Sequence, residues 1–278
     1  MKKFLLPLFA AIALLAGCAT TQTTQSGAVG VERKQFMMLS EKQVDQMAAQ
    51  SYLQTLKEAE TKKTLNSNPQ QTERVRAIAN RLIAQTGVFR PDAANWKWEV
   101  NVQESKDVNA YCMPGGKIMV YTGLIDKLNP TDDELANVMG HEISHALREH
   151  GRERMSRAYA QQIGLVGLAV ALGATSKDRN AAANTMMIGS TVTALALTLP
   201  NSREAEREAD RMGLELSARA GYDPNAAITL WQKMGAQGGS KPPEWLSTHP
   251  SEESRMKELQ SLIPTVMPLY QEARAKKT

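Results

Sequence analysis

Apolar residues recur along the chain with two different periods, and each period predicts a different kind of element. In 40–65 and 72–86 they return every three or four residues, which is the period of an amphipathic helix. In 96–103 every second residue is apolar, as in a half-buried strand, and a second strand is predicted over 117–121. The turn-forming Pro-Gly-Gly at 114–116 lies between the two strands. The residues expected to face inwards in the two helices are Val44, Met47, Ala48, Leu53, Leu56, Val75, Ile78, Ala79 and Leu82.

Residues 161–199 form the most apolar stretch after the N-terminal segment, but a polar run at 176–180 divides it. Each half is shorter than the ~20 apolar residues that span a bilayer, and each is rich in Gly, Ala and Thr, which suit close packing on neighbouring helices. A helical hairpin that is buried or covers a site is therefore favoured over membrane insertion.

The first 17 residues have the pattern of an export signal. Two lysines at positions 2 and 3 precede an apolar run that ends at position 15 and is too short to span a bilayer comfortably. The sequence Leu-Ala-Gly-Cys at 15–18 resembles the bacterial lipobox, which implies cleavage before Cys18 and lipid attachment to it. An ordinary secretory signal with an incidental cysteine is the alternative. Ala19 after the cysteine implies, by the same resemblance, the periplasmic face of the outer membrane.

Composition limits the rest of the chain to few classes. Residues 18–39 are rich in Thr, Gln, Ser and Gly and predict a flexible tether between the lipidated Cys18 and one domain over 40–270. With 42% apolar residues, 278 residues can bury one good core. Cys112 is then a lone thiol, because Cys18 is the only other cysteine. The net charge of +4 becomes 4 − 2 = +2 without Lys2 and Lys3 of the export signal, which is too small to indicate nucleic acid or anionic lipid as a partner.

A metal-binding motif lies on a predicted helix that follows the strands. Thr131 and Glu134 form a capping box, so a helix is expected to begin there. His141 and His145 are four residues apart and share one face, so both imidazoles can bind one zinc ion. Glu142 is offset by one residue and can act as general base on a water bound to that ion. This H-E-x-x-H arrangement predicts a zinc metallopeptidase with one Zn²⁺ per chain.

A third ligand must come from another part of the chain. His150 is roughly 140° around a continuing helix from His145, so it is expected at the surface or at the helix end. The acidic helix at 202–213 offers Glu206 and Glu208, which flank its buried stripe about equally. Gly213 permits close helix approach on the Glu206 side and favours that residue. Asp210, one turn further, can hold the free ring nitrogen of a ligating histidine; a solvated, charged helix is the alternative.

These residues resemble the HtpX, BepA, LoiP and CAAX-prenyl-protease group of gluzincin peptidases. The family's S-R-x-x-E-x-x-A-D pattern implies that Glu206 is the third zinc ligand and Asp210 its supporting aspartate. The likeness covers most of residues 70 to 260. The segments that carry it are 141–145, 202–210, 109–110, 114–116, 120, 123–124 and 248–250.

The resemblance implies an α+β, zincin-like metalloprotease domain, mostly helical with a small β-sheet beside the H-E-x-x-H helix. The compact lipoprotein members are the most similar. It further implies cleavage of misfolded or stalled outer-membrane proteins in periplasmic quality control, with the envelope assembly machinery as a candidate partner. The rival is a membrane-tethered chaperone or assembly factor that keeps the zinc site but cleaves little.

Two further sets of site residues follow. We expect polypeptide substrates to bind extended, as an added strand along an edge formed by Lys117, Met119 and Tyr121. His249 precedes a proline and, by the resemblance, lies close to the zinc. It would then act catalytically as an oxyanion donor, or as a fourth ligand. A surface loop position for His249 is the alternative.

Overall fold

The computed structural model describes residues 20–171, 201–236, 249 and 253–276. These residues form an α+β domain that is mostly helical, as the sequence predicts. The strands are β1 (Thr20–Thr21), β2 (Gln35–Phe36), β3 (Glu99–Gln103), β4 (Ala110–Met113) and β5 (Lys117–Tyr121). The helices are α1 (Glu41–Thr61), α2 (Pro69–Ile83), α3 (Thr122–Leu128), α4 (Asp132–Leu147), α5 (His150–Ala171), α6 (Arg203–Arg219), α7 (Ala226–Ala236) and α8 (Glu253–Ala275).

The central sheet has three strands in the order β3-β5-β4, with β3 parallel and β4 antiparallel to β5. β5 has the predicted bounds, whereas β4 was not predicted, because its four residues adjoin the Pro-Gly-Gly turn. In that turn Gly115 and Gly116 have φ angles of 73° and 80°, which glycine adopts without strain. A Cβ on Gly116 would also lie 2.6 Å from the Trp98 ring. The turn therefore requires glycine for both conformation and space.

The position of β5 contradicts the predicted substrate edge. Lys117, Met119 and Tyr121 all lie on the central strand, whose two sides are occupied by β3 and β4. Tyr121 donates its backbone N–H to Asn109 O at 3.0 Å, so alternate residues of β5 are bonded towards β4. The assignment of these three residues to a free edge was therefore wrong, because a short apolar run predicts a strand but not which strands lie beside it.

Helices α1 and α2 differ in how well their buried faces were predicted. All four inward-facing residues predicted for α2 are buried, and so are Val44 and Ala48 of α1. Leu53 of α1 is instead 54% exposed. Its neighbour Tyr52 is turned inwards and donates its hydroxyl to Ile118 O at 2.6 Å. That hydrogen bond ties α1 to the central strand and leaves Leu53 on the outside.

Residues 20–39 are packed against the domain, in contrast to the flexible tether predicted for them. β1 and β2 pair with each other, and Val29 and Val31 are buried in the main core. The polar side chains of this segment serve buried groups, since Thr23 Oγ1 and Gln35 Nε2 both donate to Arg148 O. The polar side chains of this segment therefore attach it to the domain by hydrogen bonds at the end of α4.

The predicted hairpin over 161–199 falls mostly outside the described residues. α5 includes its beginning but starts earlier, at His150. Across the part of the chain described, no helix combines the length and the apolar character needed to cross a membrane.

Helices α4 and α6 approach each other closely at the centre of the domain. α4 begins with the predicted capping box of Thr131, and its residues from 134 to 147 are buried. A Cβ on Gly140 would lie 2.8 Å from Ser217 Oγ. A Cβ on Gly213 would lie 2.7 Å from the His141 backbone nitrogen. The two glycines thus let the backbones of the two helices touch beside His141.

Replacing Gly213 tests this contact. We expect Gly213→Ala to lower the free energy of unfolding by about 1–3 kcal/mol, because the new methyl group meets backbone atoms that cannot move independently. The exposed helical Gly164 has open space around it, so Gly164→Ala is the control and should be neutral or stabilising by up to about 1 kcal/mol. Chemical denaturation of both variants gives the comparison. Equal stability of the two variants would contradict the close packing.

Candidate metal centre

Four buried side chains from three parts of the chain meet at one point. His141 and His145 come from α4, Glu206 comes from the first turn of α6, and His249 precedes α8. Each offers one ligand atom, and these atoms all lie within 4.8 Å of one another. Imidazole nitrogens with one carboxylate oxygen are the ligands that zinc takes in peptidases.

The distances between the first three side chains fit a zinc ion. His141 Nε2 lies 3.0 Å from His145 Nε2. Glu206 Oε2 lies 3.5 Å from His141 Nε2, and Glu206 Oε1 lies 3.4 Å from His145 Nε2. Ligands at ~2.0–2.2 Å from a tetrahedral zinc are separated by about 3.3–3.5 Å. Both distances to Glu206 match this separation, and the distance between the two nitrogens is slightly shorter. Among the described residues, none donates a hydrogen bond to either oxygen of Glu206, although the residue is only 1% exposed. Burying a carboxylate in this way is costly, and a cation between these groups removes that cost.

Charged residues behind the cluster hold two of its members. Asp210 Oδ1 lies 3.0 Å from His141 Nδ1, the ring nitrogen that points away from the cluster. Arg255 of α8 donates to both oxygens of Asp210, at 2.6 and 2.7 Å. Its third nitrogen forms an ion pair with Glu206 Oε2 at 2.9 Å, without the geometry of a hydrogen bond. The guanidinium also stacks on the ring of Trp231. Arg255 therefore holds the carboxylates of Glu206 and Asp210 in place from the side opposite the cluster.

The electrostatic field at the cluster favours a bound positive charge. Burial lowers the pKa of His141, but its interactions with Asp210 and Glu206 outweigh that effect and raise the pKa to about 10. Burial raises the pKa of Glu206, but the neighbouring His141 and His145 rings hold it well below its usual range. The cluster is thus a buried cage of nitrogen and oxygen atoms that fits a divalent metal ion.

Glu142 and His249 lie side by side at the cluster. Glu142 is 3% exposed, and its Oε1 lies 3.6 Å from His249 Nε2. The ring centroid of His249 is 5.2 Å from those of both His141 and His145. His249 is 6% exposed, so the alternative of a surface loop position is excluded.

His150 is buried, which corrects its expected surface position. α4 ends at Leu147, Glu149 adopts a φ of 53°, and a new helix begins at His150. Because the chain changes direction here, the angle around a continuing helix does not apply to His150. Its Nδ1 lies 2.8 Å from His145 Nδ1. His150 Nε2 lies 2.9 Å from Glu208 Oε2. Glu208 is therefore buried as well, and α6 is not the solvated, charged helix of the alternative interpretation.

Three arginines at the centre were not recognised from the sequence. Arg255 contacts Asp210, while Arg148 and Arg33 contact Glu208. No local pattern marks these arginines, because each long side chain reaches an element that is distant in the chain. The one indication of these arginines in the sequence is the high number of acidic residues in α6, because carboxylates that become buried require cationic partners.

The fold and the buried His-His-Glu-His cluster have the arrangement expected of a zinc metallopeptidase domain. The chain belongs to peptidase family M48, whose model matches residues 69–263, and this confirms the resemblance stated from the sequence. M48 metalloproteases use zinc.

Several characterised proteins are similar to this chain. The mitochondrial metalloendopeptidase OMA1 of Bos taurus is 35% identical over 198 residues, which are 69% of this chain and 37% of that protein. The mitochondrial metalloendopeptidase OMA1 of Arabidopsis thaliana is 39% identical over 183 residues, which are 65% of this chain and 35% of that protein. The beta-barrel assembly-enhancing protease of Yersinia pestis is 28% identical over 211 residues, which are 72% of this chain and 40% of that protein. The chain thus spans less than half the length of each of these three relatives.

Removing the Glu206 carboxylate tests the composition of the centre. We expect Glu206→Ala to raise the zinc dissociation constant by more than about 100-fold, since residues that only support ligands are already worth 10–100-fold. Glu204 lies on the same helical turn but is exposed, so Glu204→Ala is the matched control and should bind zinc as the wild type does. Competition with a chromophoric chelator measures both. Unchanged affinity in Glu206→Ala would exclude Glu206 as a ligand.

Proposed function

We propose that this chain is a zinc-dependent endopeptidase that hydrolyses peptide bonds in unfolded or misfolded polypeptides. The observation that carries the proposal is the buried carboxylate of Glu206, to which no described residue donates a hydrogen bond and which faces two histidine nitrogens, while the Glu142 carboxylate lies 3.6 Å from His249 of the same cluster. A zinc site with a purely structural role has no need of the buried Glu142 carboxylate in addition to its ligands.

His141, His145 and Glu206 hold the metal in this proposal. Bound zinc supplies a polarised water of lowered pKa. The Glu142 carboxylate accepts a proton from the attacking water and passes it to the leaving amine nitrogen. Asp210 accepts a hydrogen bond from His141 Nδ1–H and so keeps the other ring nitrogen available as a ligand.

The outer edge of β4 is the proposed substrate edge. Because Asn109 and Tyr121 form a bonded pair, the ladder turns the backbone N–H and C=O of Cys112 away from β5. In the described residues no strand pairs with that side of β4. Strand β4 packs against α4, the helix that carries the proposed base Glu142, and the Glu142 carboxylate adds to the effect of burial in raising the pKa of the Cys112 thiol. An extended chain paired there would lie along the catalytic centre, so native globular proteins should resist cleavage.

The cell envelope is the proposed location. The lipobox-like residues before Cys18 support lipid attachment there, and one of the similar proteins is named a beta-barrel assembly-enhancing protease. Together they support a role in the quality control of misfolded or stalled outer-membrane proteins, at the periplasmic face of the outer membrane. Retention of lipid label by Cys18→Ala would contradict the anchor.

Replacing the proposed base separates a peptidase from a zinc-containing chaperone. We expect Glu142→Gln to bind zinc like the wild type but to lose digestion of an unfolded protein, because the amide cannot accept the proton. Digestion by the wild type should stop with a chelator and return with zinc. Equal digestion by Glu142→Gln and the wild type would refute the proposed mechanism.

The role of His249 is tested by its removal. We propose that it donates to the oxyanion of the tetrahedral intermediate, since its ring lies beside Glu142 and the cluster. His249→Ala should then lower kcat by about 10² to 10³, with zinc affinity unchanged. Faster cleavage together with weaker zinc binding would show instead that His249 is a fourth ligand that blocks the site. Wild-type values for both would remove His249 from the mechanism.

A further inference from the structure

His145 has a buried histidine behind it in place of a carboxylate. Its Nδ1, which points away from the cluster, lies 2.8 Å from Nδ1 of His150. The other ring nitrogen of His150 lies 2.9 Å from Glu208 Oε2. His141 differs, because its Nδ1 faces Asp210 directly. The two histidines of the H-E-x-x-H motif are thus supported in different ways.

One set of ring tautomers satisfies every nitrogen in this chain of contacts. With its Nε2 directed at the metal, His145 carries its proton on Nδ1 and donates it to His150 Nδ1. His150 then carries its proton on Nε2 and donates it to the Glu208 carboxylate. Both rings are neutral in this arrangement, and neither buried ring has a nitrogen without a partner. We call these contacts from His145 through His150 to Glu208 the relay.

The far end of the relay is fixed by two arginines. Arg148, which is fully buried, donates to both oxygens of Glu208 at 3.0 and 3.2 Å. Arg33 donates to the same carboxylate at 2.9 and 3.1 Å and pairs with Glu153 of α5 at 2.7 Å. Arg148 also donates to Arg33 O at 2.9 Å. The segment 20–39 is therefore joined to the relay through Arg33.

We propose that His150 and Glu208 are positioning residues for the metal ligand His145, and that Arg33 of the N-terminal segment holds Glu208 in place. The inference rests on the proposed function, since it assumes that His145 Nε2 binds zinc. Groups that orient a ligating imidazole and fix its tautomer typically change metal affinity by about 10- to 100-fold. Residues far from the catalytic centre in sequence would thus set how firmly the centre holds its metal.

Three variants distinguish positioning from a general effect on folding. His150→Phe keeps a planar ring but removes the acceptor, and should raise the zinc dissociation constant by about 10- to 100-fold. His150→Asn keeps an acceptor near the Nδ1 position and should recover most of the affinity. Met155 is buried on the same helix and packs on Val44, away from the relay, so Met155→Ala is the control for lost stability. It should unfold more easily without loss of zinc affinity.

The wild-type protein offers a direct readout that needs no variant. The chain has four histidines, so labelling with ¹⁵N-histidine gives few signals. In the zinc-loaded protein we expect the His145 Nδ1 proton to show scalar coupling to a second ring nitrogen, across an N–H···N hydrogen bond. His150 should be protonated on Nε2. A protonated His150 Nδ1, or no coupling across the pair, would overturn the proposal.

The variants have equally definite outcomes. Equal zinc affinity in His150→Phe and the wild type would overturn the relay, as would equal losses in His150→Phe, His150→Asn and Met155→Ala. Failure of the proposed function has a separate signature, because the wild type itself would then bind no zinc or digest unfolded protein without it. Zinc-dependent cleavage by the wild type with unchanged affinity in His150→Phe refutes the relay alone.

Discussion

The contact between Gly140 and Gly213 is the constraint on which the metal centre depends. A Cβ at either position would meet atoms of the opposite helix within 3 Å, so the two backbones touch only because both residues are glycine. The contact lies next to His141 on α4 and less than two turns from Glu206 on α6. It therefore brings the Glu206 carboxylate to the two imidazoles at a depth where water cannot solvate it, so its charge has to be balanced by Arg255 on one side and, in our proposal, by a metal ion on the other.

The surrounding charges follow from that burial. α6 presents three buried carboxylates near the centre, of which Glu206 and Asp210 lie one turn apart on the side of His141. Glu208 lies between them in sequence and serves the other side, through His150. Arg255, Arg148 and Arg33, from three separate parts of the chain, neutralise these groups, because isolated buried charges would be expensive. The same helix thus supplies Glu206 to the centre and, in our proposal, the carboxylates that orient both of its histidines.

The sequence was sufficient where a periodic pattern or a cap determines local structure. The capping box at Thr131, the buried face of α2 and the bounds of β5 could all be predicted. The close approach at Gly213 could also be predicted, because a glycine on that side of the helix removes the side chain that would keep a neighbouring backbone away.

Features that depend on neighbours could not be predicted. The apolar run at 117–121 predicts a strand but not its central position in the sheet, and β4 is too short to be recognised beside a turn. Residues 20–39 have the composition of a tether but are bound through polar side chains to the end of α4. His150 was misplaced because α4 ends three residues before it, so its angle around a continuing helix has no meaning.

The most direct test of the account is the position of the metal in crystals of the zinc-loaded protein. Anomalous diffraction measured on both sides of the zinc absorption edge locates the ion independently of any assumption about its ligands. We expect one zinc per chain, bonded to His141 Nε2, His145 Nε2 and a Glu206 oxygen at ~2.0–2.2 Å. A zinc ion bonded to Glu208 or His150, or a zinc that leaves Glu206 without a bond to it, would contradict the account.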